Sequence, residues 1–374
     1  MHVAIDYTAA VQQGAGIGRY TRGLVAALAR GDDGNRYTLF CAGSGPPPTQ
    51  WPERFAVHTT RMRASWLAIG WHRLRLPLYA DRLIGGCDIF HSPDFSLPPL
   101  QRALGVVTVH DLSFVRVPEC ADPRLRSYLQ TMVPRSVRAA RRVLADSMST
   151  RNDLIEFLRV PPEKISVVPA GVEPHFQSIT EASVLATVRA RYALPERFIL
   201  SVGTLEPRKN FARLISAHGR LRRQTGLPID LVIVGKPGWL YDDIYKRVEE
   251  EGLRGHVLFT GYVADADLPA VYSLASLFAF PSLYEGFGIP PLEAMACGVP
   301  VVCSNNSSLP EAVGDAALMV EAEDVQALAD AMARVLEDGV LRDELRRLGR
   351  AQAARNSWDG AARRLLDAYQ KAMP

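Results

Sequence analysis

The sequence LFAFPSLYEGFGIPPLEAMACGVPVVCS, residues 277–304, contains an apolar run, a glycine-rich turn, a short helical pattern and a second apolar run. Neither apolar run alternates with polar residues, which is typical of strands buried on both faces of a parallel sheet. Pro290 and Pro291 suit the first turn of a helix, and Gly298 followed by Pro300 ends it. The stretch therefore predicts a β–α–β unit.

The same alternation extends along the chain. Strands are predicted over 2–6, 37–42, 89–92, 105–111, 142–147 and 165–170, and in a second series over 197–203, 230–235, 256–261, 277–282 and 300–304. Helical patterns between them include 19–30, 150–158, 211–222 and 266–275. Two series of strands alternating with helices predict an α/β protein with two doubly wound, Rossmann-like domains.

The strand rhythm breaks once, near 171–195, and the chain length of 374 residues suits two domains. We expect an N-terminal domain over 1–172, a linker over 173–195, a second domain over 196–355 and a final amphipathic helix over 356–374. Ligands of such sheets bind beyond the carboxyl ends of the strands. Two sheets facing across a cleft would place the functional residues just after their strands.

Composition restricts the function classes. The chain is 48% hydrophobic and 22% charged, as in soluble globular proteins, and its net charge of +3 does not favour nucleic acid. Residues 1–170 carry 21 basic and 14 acidic side chains, which predicts an anionic partner for that half. Five cysteines without a CxxC pair, no signal peptide and no long apolar run predict a cytoplasmic protein.

Two candidate sites follow strands of the first series. The loop GAGIGRY contains Gly14, Gly16 and Gly18 ahead of a helix, where backbone can approach an anion. Its spacing is not that of a nicotinamide-binding loop, and a flexible helix cap is an equal alternative. His110 ends the strand 105–111 in the sequence TVHDLSF, as a structural or a catalytic histidine.

The second series carries the stronger pattern. SVGTLEPRKNFARL places Arg208 and Lys209 after a strand, with Asn210 as the expected helix cap, and two adjacent cations suit a diphosphate. After strand 277–282 come Glu285 and, with seven residues between them, Glu293, which we expect in the first helical turn. The alternative is that Arg208 and Lys209 are solvated surface residues and that both glutamates are ordinary carboxylates without a binding role.

These segments together resemble the retaining GT-B-fold glycosyltransferases of glycosyltransferase family four. EGFGIPPLE is similar to their EX7E signature, and GAGIGRY, TVHDLSF, SVGTLEPRKN, VGKPGW, GYVADADLPAVY and SSLPEAVGDAAL follow in the family's order over essentially the whole chain. The C-terminal SWDGAARRLLDAY is similar to the helix that crosses back to the first domain. TVHDLSF and EPRKN look like the mannosyltransferase versions.

The resemblance implies a donor site and its residues. Arg208 and Lys209 would neutralise the donor diphosphate, Glu293 would accept from ribose hydroxyls, and Glu285 would hold a sugar hydroxyl. The remaining implied donor contacts are Gly16, Gly18, Gly203, Val263 (with Tyr262, near the base), Phe287, Gly288 and Ile289. His110 would lie at the sugar face, and the catalytic set would be His110, Glu285, Arg208 and Lys209.

The implied function is retaining transfer of a hexose, with mannose from GDP-mannose as the first choice, to a glycan or lipid-linked acceptor in polysaccharide biosynthesis. UDP-glucose or another UDP- or dTDP-sugar stays open as donor. A relative of glycogen synthase or phosphorylase, and a non-catalytic nucleotide-sugar-binding subunit, are further alternatives. No cofactor or metal is expected, because the two cations serve the leaving group; Asp265–Asp267 is expected to begin the helix 266–275.

The segment 61–85 is basic and aromatic. It interleaves Arg61, Arg63, Arg73, Arg75 and Arg82 with Trp66, Trp71, Leu74, Leu78 and Tyr79. Such a pattern predicts an amphipathic helix, either packed on the first sheet or lying on the inner face of an anionic membrane.

Overall fold

The computed structural model describes residues 1–14, 16–43, 50–74 and 76–374. The chain divides into two compact units. The first comprises Met1–Leu112, Ser127–Gly171 and Ser357–Pro374, and the second Ser113–Arg126 and Val172–Asn356. The segment for which a linker is predicted contains a helix, Ala182–Arg191, and falls in the second unit.

The first unit is built on a parallel sheet of seven described strands. They are β1 (His2–Asp6), β2 (Arg36–Ala42), β3 (Phe55–Thr60), β4 (Ile89–Ser92), β5 (Leu104–Val109), β6 (Arg142–Ala145) and β7 (Ile165–Val167), in the order β3-β2-β1-β4-β5-β6-β7. Winding reverses between β1 and β4, which is where ligands of doubly wound sheets bind.

The second unit repeats this plan with six described strands. They are β8 (Phe198–Val202), β9 (Asp230–Val234), β10 (Val257–Gly261), β11 (Leu277–Phe280), β12 (Val301–Ser304) and β13 (Ala317–Val320), in the order β10-β9-β8-β11-β12-β13. All described pairings in both sheets are parallel. The predicted pair of doubly wound Rossmann-like sheets is therefore confirmed.

Helices connect the strands. They are α1 (Thr8–Gln12), α2 (Ile17–Gly31), α3 (Ala64–Ala68), α4 (Ala80–Leu83), α5 (Ser113–Arg116), α6 (Pro123–Ala139), α7 (Met148–Leu158), α8 (Ala182–Arg191), α9 (Phe211–Thr225), α10 (Asp242–Glu250), α11 (Leu268–Leu274), α12 (Ile289–Ala296), α13 (Leu309–Val313), α14 (Val325–Glu337), α15 (Gly339–Arg355) and α16 (Trp358–Ala372).

The core of the second unit shows why these residues form these elements. Ile199, Leu231 and Ile233 of the strands are completely buried against Leu214 and Leu221 of α9. The helix presents apolar residues at intervals of three, four and seven. The strands are mostly apolar and buried, as expected for a sheet that helices cover on both faces. This packing fixes the carboxyl edge of the sheet, from which the candidate site is built.

The prediction of one amphipathic helix within 61–85 is wrong, because the segment forms only short helical pieces. Only α3, a π-helical turn over Ile69–Arg73 and the short α4 are helical in its described part, and residues 76–79 belong to neither a helix nor a strand. Pro77 lies between the helical pieces, and proline removes a helical hydrogen bond. Arg75 of this segment and Ala15 of the glycine loop lie outside the described residues.

The last helix, α16, packs in the first unit. Its first residue, Trp358, lies over Gly23 of α2, and the Tyr369 hydroxyl lies 2.8 Å from Nδ1 of the buried His91. Ser357 begins the helix by accepting from the backbone N–H of Gly360. Among the residues that the structure describes, no helix combines the length and apolar character needed to cross a bilayer.

Candidate active site

The loops that follow β8 and β11 meet at the point where the second sheet reverses its winding. The loop after β8 forms a 3₁₀ turn over Pro207–Lys209, and the loop after β11 leads through Glu285 to α12. The backbone N–H of Leu283 donates to the Arg208 carbonyl at 2.9 Å, which ties the loops together. Topology alone thus brings together three predicted site residues, Arg208, Lys209 and Glu285.

Glu285 accepts from both cations. Lys209 Nζ lies 2.7 Å from Oε1, and Arg208 Nη1 lies 2.9 Å from Oε2. The Arg208 guanidinium also donates to the Tyr284 carbonyl at 2.8 Å and to Glu206 Oε1 at 2.5 Å. The fork of the arginine therefore spans both loops, which a lysine in its place cannot do.

This cluster is buried and charge-balanced. Glu206 is 2% and Glu285 is 7% exposed. Burial by itself raises the pKa of Glu285, but Arg208 and Lys209 outweigh burial and lower the pKa to about 2. Two carboxylates therefore face two cations, so an anion that takes over the cations must compete with Glu285.

Gly203 and Asn210 position the cations. A Cβ at Gly203 would lie 3.3 Å from the side chain of Lys209, so the glycine leaves room for the lysine stem. Asn210 starts α9 at φ 60°, but its side chain does not cap the helix. Its Nδ2 instead donates to the carbonyls of Pro281 at 2.9 Å and Ala322 at 2.6 Å. The expected capping role is wrong: Asn210 holds neighbouring loops together.

The turn before α12 is shaped by serines and one glycine. Ser308 Oγ lies 2.9 Å from the carbonyls of both Glu285 and Phe287, and Ser307 Oγ accepts from the Glu285 N–H at 2.9 Å. Gly288 has φ 106°, and a Cβ there would lie 2.7 Å from Leu309. This left-handed conformation requires glycine and turns the chain sharply into α12, where Ile289 is the first residue.

Glu293 lies later in its helix than predicted. It is the fifth residue of α12, not a member of the first turn, and the turn holds no acidic residue. Its side chain is 1% exposed, and the Tyr272 hydroxyl donates to Oε2 at 2.9 Å. Contact with a ribose stays a prediction that would require this buried carboxylate to become accessible.

The edge beyond β10 presents an aromatic surface. Tyr262 is 50% exposed, and Lys236 Nζ lies 4.6 Å from its ring centroid. Val263 is buried beside it at 3% exposure. Asp267 precedes α11 and is held by Arg191 at 2.6 Å and by the Tyr192 hydroxyl at 2.8 Å. The DAD sequence thus lies ahead of the helix, contrary to the prediction that it forms the first turn.

In the first unit, His110 follows β5 and lies between two acceptors. Nδ1 lies 2.7 Å from Asp146 Oδ2, and Nε2 lies 2.8 Å from the Pro93 carbonyl. Burial lowers the pKa of His110, but Asp146 and the Pro93 carbonyl outweigh burial and raise it to about 9. The ring is therefore an imidazolium at neutral pH, which cannot act as a general base.

The glycine loop has a packing role near His110. Gly16 precedes α2 at φ 56°, and a Cβ at Gly18 would lie 2.2 Å from the Gln13 carbonyl, so Gly18 allows α1 and α2 to approach closely. One turn along α2, the ring of Tyr20 meets the His110 ring edge-on at 4.9 Å between centroids. The first-unit site residues Gly16, Gly18 and His110 thus share one edge of their sheet.

Sequence reasoning missed three residues that hold the site: Asp146, Ser308 and Tyr272. Asp146 carried a signal, because it directly follows β6, the strand beside that of His110. Ser308 and Tyr272 had none, because their partners are distant in sequence. Within the described ranges, no group of three or more histidine, cysteine, aspartate or glutamate side chains is arranged to hold a metal ion.

Comparison with known proteins identifies the family. Residues 14–176 match Glycosyltransferase Family 4, and residues 188–352 match Glycosyl transferases group 1. The chain is 36% identical over 283 residues to O-antigen chain mannosyltransferase B of Escherichia coli, covering 75% of this chain and 74% of that protein. The chain belongs to this family of glycosyltransferases.

Two further comparisons place this glycosyltransferase. It is 35% identical over 254 residues to the serotype-specific mannosyltransferase WbdA of Escherichia coli, covering 67% of this chain but 31% of that protein. Sucrose-phosphate synthase from Thermosynechococcus elongatus shares the fold, with a TM-score of 0.77 at 22% identity, over 99% of this chain and 98% of that one. The predicted GT-B glycosyltransferase fold and the likeness to mannosyltransferases are confirmed.

Proposed function

We propose that this glycosyltransferase moves mannose from GDP-mannose to a hydroxyl of a glycan or lipid-linked acceptor, with retention at the anomeric carbon and without a metal ion. The observation that carries the proposal is the buried cluster in which Arg208 and Lys209 share Glu285 at the switch point of a parallel sheet. Cations preorganised at such an edge suit the diphosphate of a nucleotide sugar.

The cluster would assist departure of the nucleoside diphosphate. Negative charge develops on the leaving diphosphate, and Arg208 and Lys209 would stabilise it without reorganising, because the surrounding loops already fix both side chains. Amides of the turn at Phe287–Ile289 would add donors at the start of α12. Once the diphosphate shares both cations with Glu285, the oxygens of Glu285 would become available to hydroxyls of the sugar.

His110 would serve the sugar as a fixed charge. Because both ring nitrogens donate, to Asp146 and to the Pro93 carbonyl, the imidazolium is held rigidly and does not take a proton. The acceptor hydroxyl would instead lose its proton to the departing phosphate, which matches same-face attack with retention.

The choice of mannose and guanine rests on relatives. The two Escherichia coli proteins compared above are described as mannosyltransferases. A UDP- or dTDP-sugar is the competing donor. Tyr262 and Val263 would lie near the base, where the exposed Tyr262 ring offers a stacking surface.

The acceptor side is proposed to lie at the cytoplasmic face of a membrane. All five cysteines are free thiols, which suits a reducing compartment. The segment 61–85 carries exposed arginines and an exposed Trp66, so it would supply a peripheral contact with anionic lipids, close to a lipid-linked acceptor.

A thermal-shift screen with GDP, UDP, ADP and dTDP tests the donor site. We expect GDP to raise the melting temperature most, and Lys209→Ala to abolish the shift. The control is Lys246→Ala, because Lys246 is an exposed lysine of the same unit. A shift with UDP alone would replace the guanine proposal, and shifts unaffected by Lys209→Ala would remove the site assignment.

Turnover then tests the reaction. GDP-mannose should be hydrolysed slowly, and transferred faster when a mannose-containing acceptor is added. Proton NMR should find the α-anomer in the product of the α-linked donor, and a chelator should leave the rate unchanged. Nucleotide binding without hydrolysis or transfer would favour a non-catalytic subunit, and an inverted product or loss of the rate with chelator would contradict the mechanism.

A further inference from the structure

An open groove of about 570 Å³ lies on the first unit, lined in part by residues of the segment 61–85. Leucine and proline side chains dominate its lining, together with Trp71 and Met132. Ligand pockets of ~300–1,000 Å³ with apolar walls and few polar groups are typical of small-molecule sites. The volume is that of a small-molecule site, and the mixed lining, which includes His72, Arg135 and Ser136, fits an amphiphilic ligand.

The groove does not belong to the sugar site. It is lined by Gly105, near the start of β5, whereas His110 follows the end of that strand. Five residues of extended chain span roughly 16 Å. The groove thus lies toward the opposite edge of the sheet from His110, and a sugar at His110 would not fill it.

Exposed apolar side chains continue from the groove onto the surface. Leu76 lines the groove and is 42% exposed, and its backbone N–H donates to the Gly70 carbonyl at 2.9 Å. On the same segment Trp66 is 72%, Leu74 61% and Ile69 47% exposed. So many large apolar side chains on one short segment mark an interaction surface.

The charged side chain that lines the groove is basic, and so are the exposed charged side chains that the structure describes within 61–74. Arg135 lines the groove and is exposed. Arg61, Arg63 and Arg73 are exposed on residues 61–74, which we call the Trp66-bearing segment. The sequence contains no aspartate or glutamate between Glu53 and Asp81. A basic rim around an apolar groove is complementary to an amphiphile with an anionic head and a hydrocarbon tail.

His72 does not contribute to the positive charge, which comes from the arginines. Burial, with Arg135 nearby, lowers the pKa of His72, so its ring is neutral at pH 7. His72 therefore adds no charge to the walls, and the positive charge lies at the exposed Arg135, where a headgroup would remain in water.

We propose that the groove binds one acyl chain of an anionic membrane phospholipid, with the phosphate at Arg135 and the Trp66-bearing segment seated among the headgroups. This inference rests on the membrane contact proposed above and specifies what the first unit takes from the bilayer. It does not depend on the donor or on the sugar transferred.

Quenching by brominated lipids tests the position of the chain. The full-length protein is mixed with vesicles of phosphatidylcholine and phosphatidylglycerol, with bromines on the phosphatidylglycerol chains. We expect the bromines to quench the tryptophan fluorescence. The quenching should be weaker in Trp71→Phe, because Trp71 lines the groove, and the Trp66→Phe substitution should weaken it further. Quenching that depends on Trp66 alone would place the segment on the membrane with an empty groove and overturn the proposal.

Matched variants separate the groove from a diffuse basic surface. Ala139→Trp fills the groove from an exposed position and should abolish the Trp71-dependent quenching. Arg135→Glu should lower the vesicle-bound fraction at least fivefold. Arg138→Glu is the control, because Arg138 is an exposed arginine on the same helix that does not line the groove. Equal losses in the two charge reversals would overturn the proposal.

Nucleotide binding is measured by thermal shift in the same preparations. Normal GDP shifts with no vesicle binding, or with equal binding to pure phosphatidylcholine, would overturn the lipid proposal and leave the donor site intact. Groove-dependent quenching without any nucleotide shift would support the lipid site and count against the proposed transferase function alone.

Discussion

Lys209 Nζ lies 2.7 Å from Glu285 Oε1, so an ion pair joins the loops after two adjacent parallel strands, β8 and β11. The two residues are separated by 76 positions in the sequence. Because Arg208 holds the other carboxylate oxygen, both cations are paired with the same carboxylate. A donor would meet cations that are fixed in place but already paired.

We expect Glu285→Gln to separate diphosphate binding from turnover. The substitution keeps the shape and removes the anion that competes for Arg208 and Lys209, so GDP should bind at least as tightly as to the unaltered chain. Loss of a charged partner for a sugar hydroxyl should lower turnover of the donor ~10–100-fold. Calorimetry with GDP and initial rates with GDP-mannose measure the two effects.

Glu323→Gln is the control for that experiment, because Glu323 is an exposed carboxylate paired with Arg213 in the same unit. Both properties should stay unchanged in this variant. Weaker GDP binding in Glu285→Gln would mean that the carboxylate mainly holds the cations in position.

Arg208→Lys should not be a conservative change. The guanidinium donates to the Tyr284 carbonyl, Glu285 and Glu206 at once, and an ammonium cannot span these partners. We expect GDP affinity and turnover to fall ~10-fold or more, with the loss of one or two charge-assisted hydrogen bonds. Arg220→Lys, on exposed α9 surface, serves as the control; equal kinetics in the two variants would contradict the bridging role.

The sequence predicted the inner strands and the edge strands β7 and β10, but missed the edge strands β3 and β13. β11 is a continuous apolar run, and β2 and β8 each contain one buried polar residue, Thr38 and Ser201, whereas β3 is mostly exposed and contains His58 and two threonines. β13 is likewise an edge strand with the partly exposed Met319. A criterion based on apolar runs favours strands that helices cover on both faces, and the mostly exposed β3 does not meet it.

For the candidate site, the sequence alone shows which residues follow the end of each strand. Arg208, Lys209 and Glu285 each follow a strand end, and parallel topology brings such positions together. The burial of Glu293 under the Tyr272 hydroxyl was not predictable, because it depends on the packing of α11 against α12. The change of Asn210 from helix cap to loop tie likewise depends on carbonyls of distant residues.

His110 should make stability depend on pH in the alkaline range. Its folded-state pKa of about 9 lies above the ordinary histidine value of 6.5, so the stabilisation by the imidazolium is complete below about pH 6.5. The stabilisation is lost as pH rises through about 9. The difference in unfolding free energy between pH 6 and pH 9.5 should reach up to about 3 kcal/mol.

Urea unfolding of the unaltered chain and of His110→Gln at several pH values measures this contribution. The variant should be less stable at pH 6, and its disadvantage should shrink as the pH approaches 9.5. The control is His58→Gln, because His58 lies on the edge strand β3. A disadvantage independent of pH would mean that His110 is neutral in the folded protein.

Gly23 and Trp358 give the last prediction, which concerns how α16 is held on the first unit. A Cβ at Gly23 would lie 2.3 Å from the Trp358 ring, so Gly23→Ala should displace the start of α16 and destabilise the unit by ~1–3 kcal/mol. Gly31→Ala is the matched control in the same helix, because a Cβ at Gly31 meets nothing within 4 Å. Since alanine favours helix over glycine, the control should be neutral or slightly stabilising. Urea midpoints measure both variants, and tryptophan fluorescence reports the environment of Trp358; equal stability of the two would show that this contact does not secure α16.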